Sequence, residues 1–209
     1  MEKLENQYYM LLRNPNQTPF LALRGTKDAG QRRYKIRQLE YDDGPVFFEN
    51  ALKGEMPFYI GNAQMDGIFP VVSEEIAEEI GQLKIDGFQL FPAVIVGDDD
   101  QWHEAFYFFN CYRKLDCVDF SSSLVRNYDP NDIVGHEVLK YKLKEEMLLG
   151  IEEENRLIIK LDNVVGGAII VHEKLVSKLE KHDVDAFLFY KLSEYELGTE
   201  YKGQRTTCA

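Results

Sequence analysis

Two stretches of this chain, residues 72–91 and 171–190, lie over one another at an offset of 99 residues without a gap. Four positions are identical: Val72/Val171, Glu74/Glu173, Asp86/Asp185 and Phe88/Phe187. The apolar pattern agrees further, through Ile76/Leu175, Ala77/Val176, Ile80/Leu179, Ile85/Val184, Leu90/Phe189 and Phe91/Tyr190. Self-similarity at a fixed spacing constrains a fold strongly, because each copy must bury the same apolar face. In the first copy Ser73 is a good N-cap, and Glu74 and Glu75 put negative charge on the first turn, where the helix dipole favours it. Ile76, Ala77, Ile80 and Leu83 fall on one helical stripe. Asp86 and Gly87 turn the chain, and residues 88–96 read as a strand. In the second copy His172 takes the cap position, Leu175, Val176 and Leu179 the stripe, and residues 187–190 the strand.

The pattern predicts an α+β fold, with two pseudo-repeated strand–helix–strand modules (about 69–96 and 168–192) around a mixed sheet. The 209 residues suit a single compact domain, expected over 1–198, with 199–209 as a flexible polar tail. Between the modules, residues 105–112 are too apolar on both faces for an edge strand and read as a central, doubly covered one. Residues 8–12 form a short apolar run closed by the Asn14-Pro-Asn-Gln-Thr-Pro loop signal, and are expected as a first strand. Residues 57–60 are also expected as a strand, and 42–45 as a turn. Residues 121–156 stay ambiguous, since 138–149 fits a helix or a hairpin.

The formal charge of −12 is unevenly spread. Residues 1–40 hold eight bases and four acids, a local +4. Residues 66–104 hold ten acids and only Lys84, a local −9, whereas 171–190 holds four acids and three lysines, −1. An acidic chain lacks the basic footprint that releases phosphate counterions, and it is repelled by anionic lipid, so neither nucleic acid nor membrane is expected as a partner. A cationic partner is compatible with it. No stretch approaches the ~18 consecutive apolar residues of a spanning helix, and no secretory leader is visible. Cys111, Cys117 and Cys208 are too few, and odd in number, for a disulfide framework. Cys111 and Cys117, six apart, would face the same way on a strand. Reduced core thiols and a cytoplasmic location are expected.

Catalytic signatures are missing. The histidines are His103, His136, His172 and His182, and none stands in H-E-x-x-H. Cap and helix-end roles account for His172 and His182. There is no G-x-S-x-G, no P-loop and no paired G-x-G-x-x-G. Asp98-Asp-Asp100 lacks the spacing of a calcium loop. No enzymatic activity, cofactor or metal is expected.

Several runs occur in an order that resembles a known family: Phe69-Pro-Val-Val-Ser-Glu-Glu-Ile, Gly87-Phe-Gln-Leu-Phe-Pro, Phe106-Tyr-Phe-Phe-Asn-Cys-Tyr-Arg-Lys-Leu-Asp-Cys-Val-Asp with Ser123 behind it, then Leu157-Ile-Ile-Lys-Leu and Ile169-Ile-Val-His-Glu-Lys-Leu. The pattern is similar to the bacterial polymorphic-toxin immunity proteins of family eleven, a myxobacterial-type domain, over about residues 56–192. Residues 1–55 align with nothing in that pattern. The resemblance implies a protein that binds and neutralises a cognate toxin in the producing or a sibling cell. Toxins linked to such proteins are often nucleases, delivered by contact-dependent or type VI secretion systems, and the partner would be the toxin's C-terminal domain. The motifs are packing and capping motifs, and they bring no catalytic residues with them.

The expected contact residues are Glu74, Glu75, Glu78, Glu79, Asp98, Asp99, Asp100, Trp102, His103 and Glu104, an acidic surface able to imitate nucleic acid toward a basic nuclease. Trp102 has two readings: an interface anchor, or a cover for the strand at 106–109. Two other classes stay open. One is a carboxylate-based hydrolase in which His103 or His136 meets an acid across a cleft; the other is a small-molecule sensor or scaffold using the repeat as a binding cleft.

Overall fold

Buried backbone must be paired, so an apolar strand such as Trp102–Cys111 needs a neighbour on each side. It has both in the computed structural model, which describes residues 4–17, 21–55, 58–132 and 134–201. In chain order the strands are β1 (Tyr8–Arg13), β2 (Leu23–Gly25), β3 (Val46–Asn50), β4 (Ala63–Asp66), β5 (Phe69–Ser73), β6 (Phe88–Val96) and β7 (Trp102–Cys111). They continue as β8 (Lys114–Leu115), β9 (Leu124–Arg126), β10 (Glu137–Lys140), β11 (Ile158–Leu161), β12 (Ile169–His172) and β13 (Phe187–Lys191). The α-helices are α1 (Lys27–Gln31), α2 (Glu74–Ile80), α3 (Glu145–Leu149) and α4 (Glu173–Leu179).

The architecture is mixed α/β. Six strands run in the order β2-β3-β6-β7-β5-β4, with β3 and β6 parallel and the other neighbours antiparallel. A bridge between Ala22 and Met65 joins the two outer strands, so this sheet is nearly a closed barrel. Phe108 fills its centre, fully buried, with ring centroids 5.3 Å from Tyr34, 5.6 Å from Phe48 and 5.7 Å from Phe69. The Tyr34 hydroxyl donates to Asp66 Oδ2 at 2.5 Å, and Lys35 pairs with the same carboxylate at 2.8 Å. Burial and the Asp66 charge both push the Tyr34 phenol up, so it stays a donor. Gly25 lets this ring in: a Cβ there would lie 2.3 Å from the Tyr34 oxygen.

The second sheet runs β13-β1-β12-β11-β8, antiparallel except for β11–β8. Its two faces belong to different cores. Tyr8, Met10, Ile159, Leu161 and Ile170 face a cluster with Val138, Tyr141 and Leu148. Leu11, Ile158, Ile169 and Val171 face the cluster shared with the barrel and with both seven-residue helices, α2 and α4. Burial on both faces is why β11 and β12 read as continuous apolar runs rather than alternating ones.

The expectation of a single mixed sheet is corrected: there are two, each mixed, together with the β9–β10 ribbon. The physical reason is the way each strand–helix–strand unit closes. β5 and β6 are both antiparallel to β7, which lies between them; β12 and β13 are both antiparallel to β1, which lies between them. Each unit takes its middle strand from elsewhere in the chain and completes its own sheet. β1 therefore supplies the middle strand of one unit, and β2 and β3 supply two strands of the other sheet. The expected strand at 57–60 is also corrected. Residue 57 lies outside the described residues, and 58–60 form no regular element. The edge position is occupied by β4, while Phe58 packs through its ring on His103.

The ambiguous 138–149 stretch divides between strand β10 and helix α3. Cys111 and Cys117 are both buried thiols but share no strand: Cys111 lies in the barrel cluster, Cys117 in the other. Cys208 and the tail from 202 lie outside the described residues; Thr199–Tyr201 is a 3-10 turn. Among the described residues no helix is long and apolar enough to cross a membrane.

His172 does cap α4, accepting from the Lys174 amide through Nδ1 at 3.3 Å. Burial against Tyr8 holds this imidazole below its ordinary pKa, which preserves the acceptor nitrogen. Ser73 sits at the N-cap of α2 without capping it; its hydroxyl is buried without a partner among the described residues. The two helices are clasped instead by Glu79, which meets His182 Nε2 at 2.7 Å, Lys181 at 3.0 Å and Lys178 at 3.7 Å. Hydrogen bonds from His182 and then Lys181 hold the Glu79 carboxyl below the usual range. Its stabilisation is therefore complete above the ordinary carboxylate pKa and lost as pH falls through the lower native value.

Thermal unfolding over a pH series should show Glu79→Gln melting below the parent at neutral pH, with the gap closing below about pH 4. Phe108→Ala should cost ~3–5 kcal/mol in urea unfolding, because the void is walled by three other rings.

Candidate functional site

Strands β6 and β7 are joined by a tight turn at 97–101. The Gly97 amide donates to the Gln101 carbonyl at 2.8 Å, and the Asp100 amide to the Gly97 carbonyl at 3.0 Å. Asp100 has a positive φ of 64°, and Asp99 Oδ1 accepts from the Gln101 amide at 3.1 Å. Asp98 accepts from the Asn50 side-chain amide at 3.3 Å, and Asp100 pairs with Lys53 at 3.3 Å. These carboxylates thus shape the turn. Neither Asp98 nor Asp99 has a cation within ion-pair distance among the described residues, and Asp99 is exposed.

The strand that follows is bulged. Ala93 pairs with Phe106 but Ile95 with His103, so β7 carries an extra residue, and Ala105 takes a left-handed φ of 62°. Outside the bulge Trp102 lies on the outer face, 63 % exposed, its ring edge-on to Phe47 at 5.1 Å. His103 turns to the opposite side and stacks on Phe58 at 5.4 Å. Glu104 is exposed and unpaired among the described residues. Trp102 does not lie over the strand at 106–109; it rests on Phe47, two strands away.

Ser73 pairs with Phe106, so α2 starts beside β7 about four residues, roughly 13 Å, from Trp102. The acids of this helix divide. Glu75 meets His182 Nδ1 at 3.3 Å and Glu79 forms the clasp, so both face the second unit. Glu74 and Glu78 are exposed and without an ion pair among the described residues. The structure therefore brings Glu74 to the strand of Trp102 and Glu104, and spends Glu79 internally. Phe47 was not foreseen; the signal was the alternation Val46-Phe47-Phe48-Glu49-Asn50, in which Phe47 faces outward while Val46, Phe48 and Asn50 are buried.

A model of an Immunity protein family (Imm11) matches residues 2–194. The chain belongs to this family. The match extends the likeness seen at 56–192 through the N-terminal strands. No curated protein matches the chain. Membership of an immunity family implies binding of a cognate toxin.

Among the described residues, neither His103 nor His136 has a carboxylate within ion-pair distance. His103 stacks on Phe58, and His136 lies between Phe120 and Tyr128, at 4.6 and 4.8 Å. Among the described residues only His182 has a carboxylate within ion-pair distance, and no group of three His, Cys, Asp or Glu could hold a metal ion.

The strain at Ala105 gives a direct test of the bulge. Ala105→Gly should raise stability by about 1 kcal/mol in chemical denaturation, because glycine enters the left-handed region without a Cβ penalty.

Proposed function

We propose that this protein neutralises a cognate toxin by covering the toxin's C-terminal domain with the acidic end of its barrel. The observation that carries the reading is Trp102, 63 % exposed on Phe47, at the end of a turn that carries Asp98, Asp99 and Asp100 and two residues before exposed Glu104. An indole held in that position offers area at little entropic cost, and aromatic anchors of this kind dominate interface energies. Carboxylates at the rim act mainly on encounter rate and partner choice. Glu74 and Glu78 flank the surface, Glu75 and Glu79 contribute by holding α2 against the second unit, and His103 supports the strand from its other side through Phe58. The complementary partner is a basic domain of nuclease type, whose phosphate-binding groups meet carboxylates instead. The reading places the protein in the cytoplasm of the producing or a sibling cell, with type VI secretion as one route for the toxin.

We further infer that residues 1–198 fold as one unit and that the two strand–helix–strand units derive from one ancestral module. Support comes from the 99-residue offset of α2 and α4 and from the clasp between them. Their surfaces have diverged, with the acidic one given to binding.

The partner is sought as the toxin-like C-terminus encoded beside this gene. Calorimetry should show Trp102→Ala losing ~2 kcal/mol or more, about 30-fold in affinity. Asp99→Lys with Glu104→Lys should slow association and flatten its salt dependence. Unchanged affinity in a folded Trp102→Ala protein removes the tryptophan from the interface; failure of co-expression to rescue growth removes the immunity reading.

A further inference from the structure

The opposite end of β7 opens on a cavity of about 90 Å³ between the two sheets. Phe88 and Cys111, paired in register, form one wall; the segment from Ile151 to Lys160 forms the other. Its charge is opposite to that of the molecule. Three cations line it, Arg113, Arg156 and Lys160, against one carboxylate, Asp86, which is already tied to Arg113.

Two of those cations are more than nine-tenths buried, Arg156 and Lys160 at 6 % exposure each. Neither has a carboxylate within ion-pair distance among the described residues. The Arg156 guanidinium donates from Nε to the Ile151 carbonyl at 3.2 Å and from Nη1 to the Tyr8 hydroxyl at 2.8 Å, which leaves Nη2 uncommitted. The Lys160 ammonium donates to the Lys35 carbonyl at 2.8 Å and lies 4.7 Å from the centre of the Phe69 ring. A buried charge is costly without a close counter-ion, and the carboxylates that act on these two, Glu153 on Arg156 and Asp162 on Lys160, lie beyond ion-pair distance. Cys111 offers no compensation: burial pushes its thiol up to about 12, so it stays uncharged.

We propose that this seam cavity binds a small oxyanion, of the size of one phosphate or carboxylate group. Arg156 is the group that holds it and Arg113 guards the mouth, while the Lys160 ammonium is turned away to the Lys35 carbonyl and the Phe69 ring. A water needs only ~10–15 Å³ of the same measure, so the space has room for one tetrahedral or planar anion. Asp86 competes for Arg113 and sets the affinity. Because the two walls belong to different sheets, an occupant ties them together. The inference is independent of toxin binding and uses none of the residues assigned to it.

The test uses the full-length protein at constant ionic strength in chloride, titrated with inorganic phosphate, sulfate or acetate and followed by thermal shift and calorimetry. At least one anion should raise Tm saturably, by roughly 3 °C at ten times its Kd, where added chloride does not. Asp86→Asn, at a side chain 62 % exposed, should tighten binding several-fold by releasing Arg113. Arg113→Gln, 56 % exposed, should weaken it several-fold. Both positions are open enough for the variants to fold, so the test does not depend on a substitution at buried Arg156. Absence of a saturable response to all three anions overturns the proposal. So does a response of equal affinity in the parent, Asp86→Asn and Arg113→Gln proteins, since the anion would then bind elsewhere.

Discussion

The pairing of β7 on both flanks is the constraint from which most of the molecule follows. This strand contributes Phe106, Phe108 and Phe109 to the core, and it bonds to β6 along most of its length and to β5 over three residues. Its inward ring, Phe108, leaves room for Tyr34 only because Gly25 has no side chain. The segment carrying Tyr34 is fixed in turn by polar contacts: Asn110 donates to the Arg37 carbonyl at 2.8 Å, and Gln89 exchanges bonds with the Leu39 backbone at 2.7 and 3.1 Å. Asn110 and Gln89 also bond to one another, at 2.9 Å. These bonds fix one register for the strap over the barrel, with Asn110 Oδ1 the one buried amide atom left without a partner among the described residues of this group.

The sequence made the helices legible because their physics is local. Ile76, Ala77 and Ile80, and equally Leu175, Val176 and Leu179, are the buried positions that the 3.6-residue period requires. The central position of the 105–112 run was legible for a similar reason: apolar residues on both faces need cover on both. What could not be read was partnership. Nothing local in Tyr8–Arg13 says that it lies between β12 and β13, and nothing in Phe88–Val96 says that β7 separates it from β5. The first arrangement is decided by contacts across more than a hundred residues, the second by pairings between segments that carry no mark of their order in the sheet. Residues 58–60 show the same limit from the other side, since an apolar run suited to a strand packs through its rings.

Of the candidate surface, the acidity and Trp102 were visible, and the exposure of the indole was not. That exposure depends on the bulge at Ala105 and on Phe47, which is distant in sequence. The helix acids looked equivalent until the position of α4 separated them. Glu79 faces Lys178, Lys181 and His182, whereas Glu74 and Glu78 face outward. The cationic seam was invisible for a further reason: Arg113, Arg156 and Lys160 lie in segments with no common motif, and the anomaly lies only in the burial of Arg156 and Lys160 without a carboxylate in ion-pair distance.

These two regions occupy opposite ends of one strand, about 30 Å apart. Unpaired carboxylates stand at the Trp102 end, and surplus positive charge at the Cys111 end. A charge separation of that length makes β7 the axis of a local electric moment, and a charged body approaching through solvent exerts a torque on it. Under the proposed function, a cationic toxin surface turns the molecule so that the tryptophan leads, before any side chain is touched. Orientation is then settled during diffusion rather than after collision, and fewer encounters are wasted on the wrong face.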